Sequence, residues 1–235
     1  MLLYIIRHGD PDYTTDSLTP RGIRQAEALP RRFALNGLDE IYSSPLGRAV
    51  QTAKPTAEVL KKEIRIEDWM SEDLTFNDLS VADRNGVKNW LFACQNSDFL
   101  KDGDALRPDW HSHNTVIACP TAKQGYERIQ SASDEFLKKL GYRREGSVYK
   151  IIEYNKNKIA AFCHHGFGIT WLSHLLSIPP LVFWASFNLT HAGVTLLEFE
   201  QHSNGITAPK CLLHSDMSHI YEARLPMEYN NVTEI

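Results

Sequence analysis

Two apolar runs that end in the same way constrain this chain of 235 residues more than any other feature. Ile5-Ile6 runs straight into Arg7-His8-Gly9, and Ala161-Phe162-Cys163 runs straight into His164-His165-Gly166. A short, continuous apolar run predicts a strand buried on both faces, the kind found in parallel sheets. In open α/β sheets ligands bind just beyond the carboxyl ends of the strands, so both pairs face one crevice if the two strands are neighbours. The glycines let the chain turn sharply and leave backbone N–H groups accessible to an anion, which adds Gly9 to the candidate ligand-holding positions.

A third element joins them. Tyr42-Ser43-Ser44-Pro45-Leu46-Gly47-Arg48 follows a second short apolar run and begins a helical pattern, placing Arg48 in a first helical turn, where unpaired N–H groups already favour anions. Arg7, Arg48, His8 and His165 in one small volume would repel one another without an anion among them, and a phosphoryl dianion meets that need. Arginine suits it because the planar guanidinium bonds two phosphate oxygens at once and keeps its proton. Two neighbouring arginines also disfavour the imidazolium form of His8, leaving a ring nitrogen to attack phosphorus in line, with Arg7, Arg48 and His165 stabilising the equatorial oxygens.

The rest of the pattern predicts an α/β fold, a mainly parallel central sheet flanked by helices on both faces. Thr19-Pro20 opens a helix that Asn36-Gly37 stops, residues 38–42 form a strand, and Ser44-Pro45 opens a second helix. Between about 69 and 120 aliphatic periodicity breaks down, and the expectation is one domain over 1–235 with a lid-like insertion there, holding a helix at 87–94. A helix at 125–140 follows. Residues 148–154 and 158–163 bracket Asn155-Lys156-Asn157 as a hairpin, and 194–199 and 210–214 bracket His202-Ser203-Asn204-Gly205 as another. A helix over 167–176 ends before Pro179-Pro180.

Composition narrows the partners. A net charge of −4 and a pI near 6.2 give no overall electrostatic footprint for nucleic acid or an anionic membrane. The stretch 159–197 lacks Asp, Glu, Lys and Arg, yet histidines, prolines and small polar residues interrupt it before it could span a bilayer. The opening apolar run is too short for a signal peptide. Cys94, Cys119, Cys163 and Cys211 are scattered without metal or redox spacing, which predicts free thiols in a reducing cytoplasm. His111-Ser112-His113 lacks a fixed third ligand and reads as solvated loop.

Five segments in order, Leu3–Gly9, Leu18–Ala26, Tyr42–Ala53, His165-Gly166 and Asp216–Ile220, resemble the histidine phosphatase superfamily in its phosphoglycerate mutase-like branch. The resemblance implies a sheet sandwiched by helices, His8 as nucleophile, Arg7, Arg48 and His165 as phosphate ligands, a small phosphorylated metabolite as substrate, and neither metal nor organic cofactor. It also implies an acidic proton donor after the third strand. Glu72 is the choice there, with Asp73 and Asp78 as rivals, while His164 shapes the phosphate site or faces the core. Mutases of the branch carry Ser two residues after the Arg-His-Gly glycine and Asn three beyond that; here Pro11 and Thr14 stand instead. This favours a phosphomonoesterase over a mutase or a phospho-ligand-binding pseudoenzyme, and leaves room for a homodimer.

Overall fold

Leu2–Arg7 forms β1, with Leu3, Ile5 and Ile6 fully enclosed, as a strand covered on both faces requires. The computed structural model describes residues 1–93, 96–101 and 103–227. After β1 a small ribbon, β2 (Pro11–Asp12) with β3 (Ser17–Leu18), leads into α1 (Pro20–Phe33), whose start is fixed by Pro20 and by Thr19 Oγ1 accepting from Gly22 N–H at 3.1 Å. Then come β4 (Glu40–Ser43), α2 (Gly47–Leu60) and β5 (Ile64–Ile66). The segment that follows contains α3 (Glu72–Asp78), a hairpin of β6 (Ser80–Ala82) and β7 (Lys88–Trp90), and α4 (Asn96–Leu100). Next are α5 (Ala122–Lys139), β8 (Tyr142–Glu145), β9 (Val148–Ile151), β10 (Lys158–Cys163), α6 (His165–Leu175) and α7 (Pro180–Ser186). The chain closes with β11 (Val194–Glu198), β12 (Ile206–Thr207), β13 (Lys210–Asp216) and α8 (Ser218–Glu222).

Among the described residues the central sheet has six strands in the order β13-β11-β1-β10-β4-β5. β1, β10, β4 and β5 run parallel, and β11 returns antiparallel to β1. The alternation of side chains builds two apolar layers. Ile6, Ala160 and Phe162 pack with Leu29 and Phe33 of α1 and Ala53 and Ala57 of α2, while Leu3, Ile5 and Ala161 pack with Phe136 of α5 and Trp171 of α6. Helices therefore cover both faces of a mainly parallel sheet. Met70, Leu79, Leu91, Phe99 and Trp110 are buried in the same layer as Trp171, so the 69–120 segment is packed wall rather than loose flap. Among the described residues no helix is long and apolar enough to cross a membrane.

Two local expectations need correcting. Val87, Trp90 and Leu91 have helical spacing, but residues 88–90 form a strand because Asp83 and Gly86 build a turn that pairs them with 80–82. The Asp83 carboxylate accepts from Asn85 and Val87 N–H at 2.8 Å, and Gly86 takes a φ of +80°. Cys94, the end of that expected helix, lies outside the described residues. The strand at 148–151 does not pair with 158–163; it pairs with 142–145 across a turn at Gly146 (φ +64°), and β10 is drawn between β1 and β4. The helix expected to end before Pro179-Pro180 does so, at Leu175, and Pro180 starts a further one. The 194–198 and 210–216 strands are neighbours as expected, although β12 leaves their connection to join β9.

Candidate active site

Register places the three chemical segments side by side. Arg7 pairs with Cys163 across β1 and β10, and Phe162 pairs with Ser43 across β10 and β4, so 7–9, 164–166 and 44–48 all leave the carboxyl edge of adjacent parallel strands. His8 is almost wholly buried. Its Nδ1 lies 2.7 Å from the carbonyl oxygen of Gly9. A carbonyl only accepts, so Nδ1 carries the proton and Nε2 keeps its lone pair. Burial, then the charge of Arg7, holds the His8 pKa well below the ordinary histidine value. Gly9 does not offer its own N–H to the crevice: it donates to Thr52 Oγ1 at 3.0 Å. Its missing Cβ matters for packing instead, since one would stand 2.8 Å from the Gly22 carbonyl oxygen.

Arg7 is also buried, and its guanidinium is held from the β11 side, donating to Leu189 O at 2.6 Å and to His191 Nε2 at 2.8 Å. A guanidinium can only donate, so His191 accepts with Nε2 and carries its proton on Nδ1, 3.5 Å from Asp10 Oδ1. Burial and the Arg7 charge push the His191 pKa down to about 2, which keeps the ring neutral. Arg48, in the first turn of α2, donates to Asp16 Oδ1 at 2.5 Å, while Asp16 Oδ2 accepts from Gly47 N–H at 2.6 Å. Asp16 thus sits on the positive end of α2 in a left-handed conformation (φ +48°), which a short carboxylate side chain tolerates. Tyr13 spans both arginines, bonding Arg7 and laying its ring 5.3 Å from the Arg48 Cζ.

The two consecutive histidines reach the site differently. His164 is fully buried with its ring centroid 5.1 Å from that of His8, and its Nε2 shares a 2.7 Å bond with Ser44 Oγ. When Ser44 Oγ donates to Nε2 while accepting from Leu46 N–H at 3.4 Å, His164 Nδ1–H is the donor left over, and that nitrogen has no partner among the described residues. His165 opens α6, donates from Nε2 to Asn188 Oδ1 at 2.7 Å, and lines an adjoining cleft. Burial, then the Arg7 charge, pushes the His165 pKa down to about 3.

Of the three acidic residues at 72, 73 and 78, the fold brings Glu72 to this edge. Its carboxylate accepts from Gly166 N–H at 2.9 Å and Phe167 N–H at 2.8 Å, the unpaired donors of the α6 N-terminus. Burial raises the Glu72 pKa against the opposing pull of those N–H groups and of Arg48 and Arg7. Asp78 accepts from Arg128 Nε at 2.9 Å, and Asp73 is exposed on α3. The crowding of positive charge is therefore relieved in two ways: Asp16 offsets Arg48, and the histidines stay neutral. Among the described residues no cluster of three or more His, Cys, Asp or Glu is arranged to hold a metal ion.

Sequence reasoning missed His191, Asp16 and Tyr13. The one available signal was His191-Ala192-Gly193 just before an apolar strand, the Arg7 grammar run in reverse.

With this geometry in place, comparison with known proteins is informative. The model of the histidine phosphatase superfamily (branch 1) matches residues 3–85, a span that holds Arg7, His8, Arg48 and Glu72. Over that span the chain is similar to the histidine phosphatase superfamily. A Hydrogenobacter thermophilus protein named as a phosphoserine phosphatase is 24% identical to this chain over 91% of the chain and 97% of its own length. A Proteus mirabilis protein named as a phosphoglycerate mutase is 32% identical, over 30% of the chain and 37% of its own length. The crystal structure of Entamoeba histolytica phosphoserine phosphatase with 3-phosphoglyceric acid superposes with a TM-score of 0.60 at 23% identity, covering 93% of this chain and 98% of that one, and supports the shared fold.

Proposed function

We propose that this protein hydrolyses small phosphomonoesters through a phosphohistidine on His8. The observation that carries the reading is the fixed tautomer: the Gly9 carbonyl holds the Nδ1 proton, so a bare Nε2 stands in the same crevice as the Arg7 and Arg48 guanidiniums. The Nε2 lone pair attacks phosphorus while the ester P–O bond breaks. Arg7, Arg48 and the His164 Nδ1–H donate to the equatorial oxygens, and Glu72 gives its proton to the departing alkoxide. A water then gives a proton to the Glu72 carboxylate and attacks phosphorus. The N–P bond breaks, His8 regains its lone pair, and alcohol and phosphate leave. The relatives named for phosphoserine and glucosyl-3-phosphoglycerate support a monoesterase acting on small phosphorylated molecules. The buried thiols of Cys119 and Cys163 and the exposed thiol of Cys211, all free, fit a reducing cytoplasm.

Mutase chemistry with the same nucleophile is the second reading, favoured by the Proteus mirabilis match. Against it, the N–H and hydroxyl of Thr14 are both turned to Asp12 Oδ1, at 2.9 and 2.6 Å. The test measures phosphate released from 4-nitrophenyl phosphate and from aliphatic monoesters, beside a mutase assay primed with a bisphosphorylated compound. Release without primer is the expected result; interconversion that requires primer, with no net release, would reverse the assignment.

His191 acts through Arg7, as a positioning residue. Removing its acceptor nitrogen in His191→Leu is expected to raise KM and lower kcat/KM by roughly tenfold to a hundredfold, the range for a lost hydrogen bond to a charged group. His191→Gln, whose amide oxygen still accepts from Arg7, should recover most of the loss. Equal damage in both variants would show that ring packing, not the hydrogen bond, is what the site needs.

A further inference from the structure

Beside the phosphate seat runs a cleft of about 320 Å³ whose chemistry differs from everything described so far. Phe92, Trp184 and Phe187 supply its ring faces, Asn96 and Asn188 its amides, and His165 its inner end; the other two lining residues are alanine and serine. Two residues adjacent in the chain tie it to the phosphate seat. Asn188 accepts from His165, and Leu189, next in the chain, accepts from the Arg7 guanidinium.

The aromatic walls are braced from behind. Phe92 stacks on Trp90 at 4.9 Å between centroids and meets Trp184 at 5.6 Å, and Phe187 stacks on Phe183 at 4.5 Å. Trp90 in turn lies so close to α6 that a Cβ on Gly166 would be 2.5 Å from its ring, so the β6–β7 hairpin fixes this wall against the helix that bears His165. Phe187 stays partly exposed, at 38%. None of the eight lining residues is Lys or Arg.

We infer that the alcohol portion of the substrate is uncharged and carries a planar ring, which the Phe92, Trp184 and Phe187 faces enclose, with Asn96 at its polar edge. This rests on the phosphomonoesterase reading above. Phosphoserine and 3-phosphoglycerate, for which relatives are named, carry a carboxylate one carbon beyond the ester carbon, and a carboxylate set against these walls would lose water without gaining a cationic partner among the lining residues. A ring loses little on leaving water and gains dispersion contacts and offset stacking. The specificity of this chain therefore parts from that of its named relatives, and the 69–120 segment, which supplies Phe92 and Asn96, sets it together with the end of α7, which supplies Trp184 and Phe187.

The test compares kcat/KM for 2-phenylethyl phosphate, ethyl phosphate, O-phosphoserine and 3-phosphoglycerate. None of the four offers the easy departure of an aryl oxide, so binding of the alcohol portion is what separates them. The ring-bearing ester is expected to exceed ethyl phosphate by about tenfold or more, the scale of one well-filled apolar pocket, and both carboxylated esters should fall below ethyl phosphate. Phe187→Ala should bring the ring advantage close to unity, and Phe187→Arg should move the preference toward 3-phosphoglycerate. Wild-type preference for phosphoserine or 3-phosphoglycerate, or equal rates with all four, would overturn the ring assignment while leaving the phosphatase intact. Failure to release phosphate from any of them or from 4-nitrophenyl phosphate would overturn both.

Discussion

Replacing His8 by alanine is expected to lower phosphate release by on the order of 10⁴-fold or more, the scale seen when an enzyme loses the atom that makes the covalent bond. Arg7, Arg48 and Glu72 remain to bind and polarise the ester, but the two rings packed on His8 offer no equivalent lone pair: His164 Nε2 is engaged by Ser44, and His191 Nε2 accepts from Arg7. The direct check is chemical. Wild-type enzyme quenched during turnover of labelled substrate should carry phosphate that survives base and is lost in acid, and peptide mapping should place it on His8. The His8→Ala protein should retain no label. A labelled variant, or a label mapped to another residue, would remove His8 from the role. Because His8 is buried, the variant's melting temperature is recorded alongside, and rescue of some turnover by added imidazole would separate a missing nucleophile from a damaged fold.

Glu72→Gln should have the second-largest effect, and the effect should depend on the leaving group. A proton donor matters when the departing alkoxide is basic. Hydrolysis of an aliphatic phosphate is therefore expected to fall by roughly 10²- to 10⁴-fold, whereas cleavage of 4-nitrophenyl phosphate, which leaves without help, should fall far less. Glutamine keeps the shape, although its single carbonyl oxygen accepts from only one of the Gly166 and Phe167 N–H groups, and a uniform loss across both substrates would argue for a structural role. The pH dependence carries a sign as well. Burial raises the Glu72 pKa, so the protonated donor persists above the ordinary carboxylate range, and kcat/KM for the aliphatic ester should decline as pH rises through that raised value. His8, held far below the ordinary histidine value, stays unprotonated through mildly acidic conditions and brings no limb near neutrality. The substrate's own second ionisation, at about 6, is common to both proteins and cancels between them. Loss of the alkaline limb in Glu72→Gln is the signature that a merely packing role would not produce.

What the sequence made legible and what it hid follow from how each side chain reaches the site. Arg7, His8 and Arg48 adjoin strands or helices announced by their own neighbours, so local pattern and position coincide. Glu72 was one of three neighbouring carboxylates, and only the packing of α3 against α6 separates it from Asp73 and Asp78. His191 arrives from β11, whose antiparallel return beside β1 leaves no mark near Arg7 in the chain. Asp16 reaches Arg48 through a positive φ that no motif demands. The cleft wall was hidden for a sharper reason: Val87, Trp90 and Leu91 have true helical spacing, and the turn chemistry of Asp83 and Gly86 overrides it. Tertiary pairing won wherever two local signals competed.

The position of β1 also dictates the order in which this protein can come together. Its neighbours are β10, at 158–163, and β11, at 194–198, and the terminal ammonium of Met1 donates to Phe199 O. The strand that ends in Arg7 and leads into His8 is thus made well before either partner and waits until residues 158–163 are made before its first edge is covered. Until then its backbone N–H and C=O groups are open along a run of Leu, Tyr and Ile, a template for pairing with another nascent chain. Such distant contacts slow folding, because the loop between them must close before they form. Yield from the cell should accordingly depend on how well those first residues are shielded during synthesis, a demand unrelated to the chemistry they later perform.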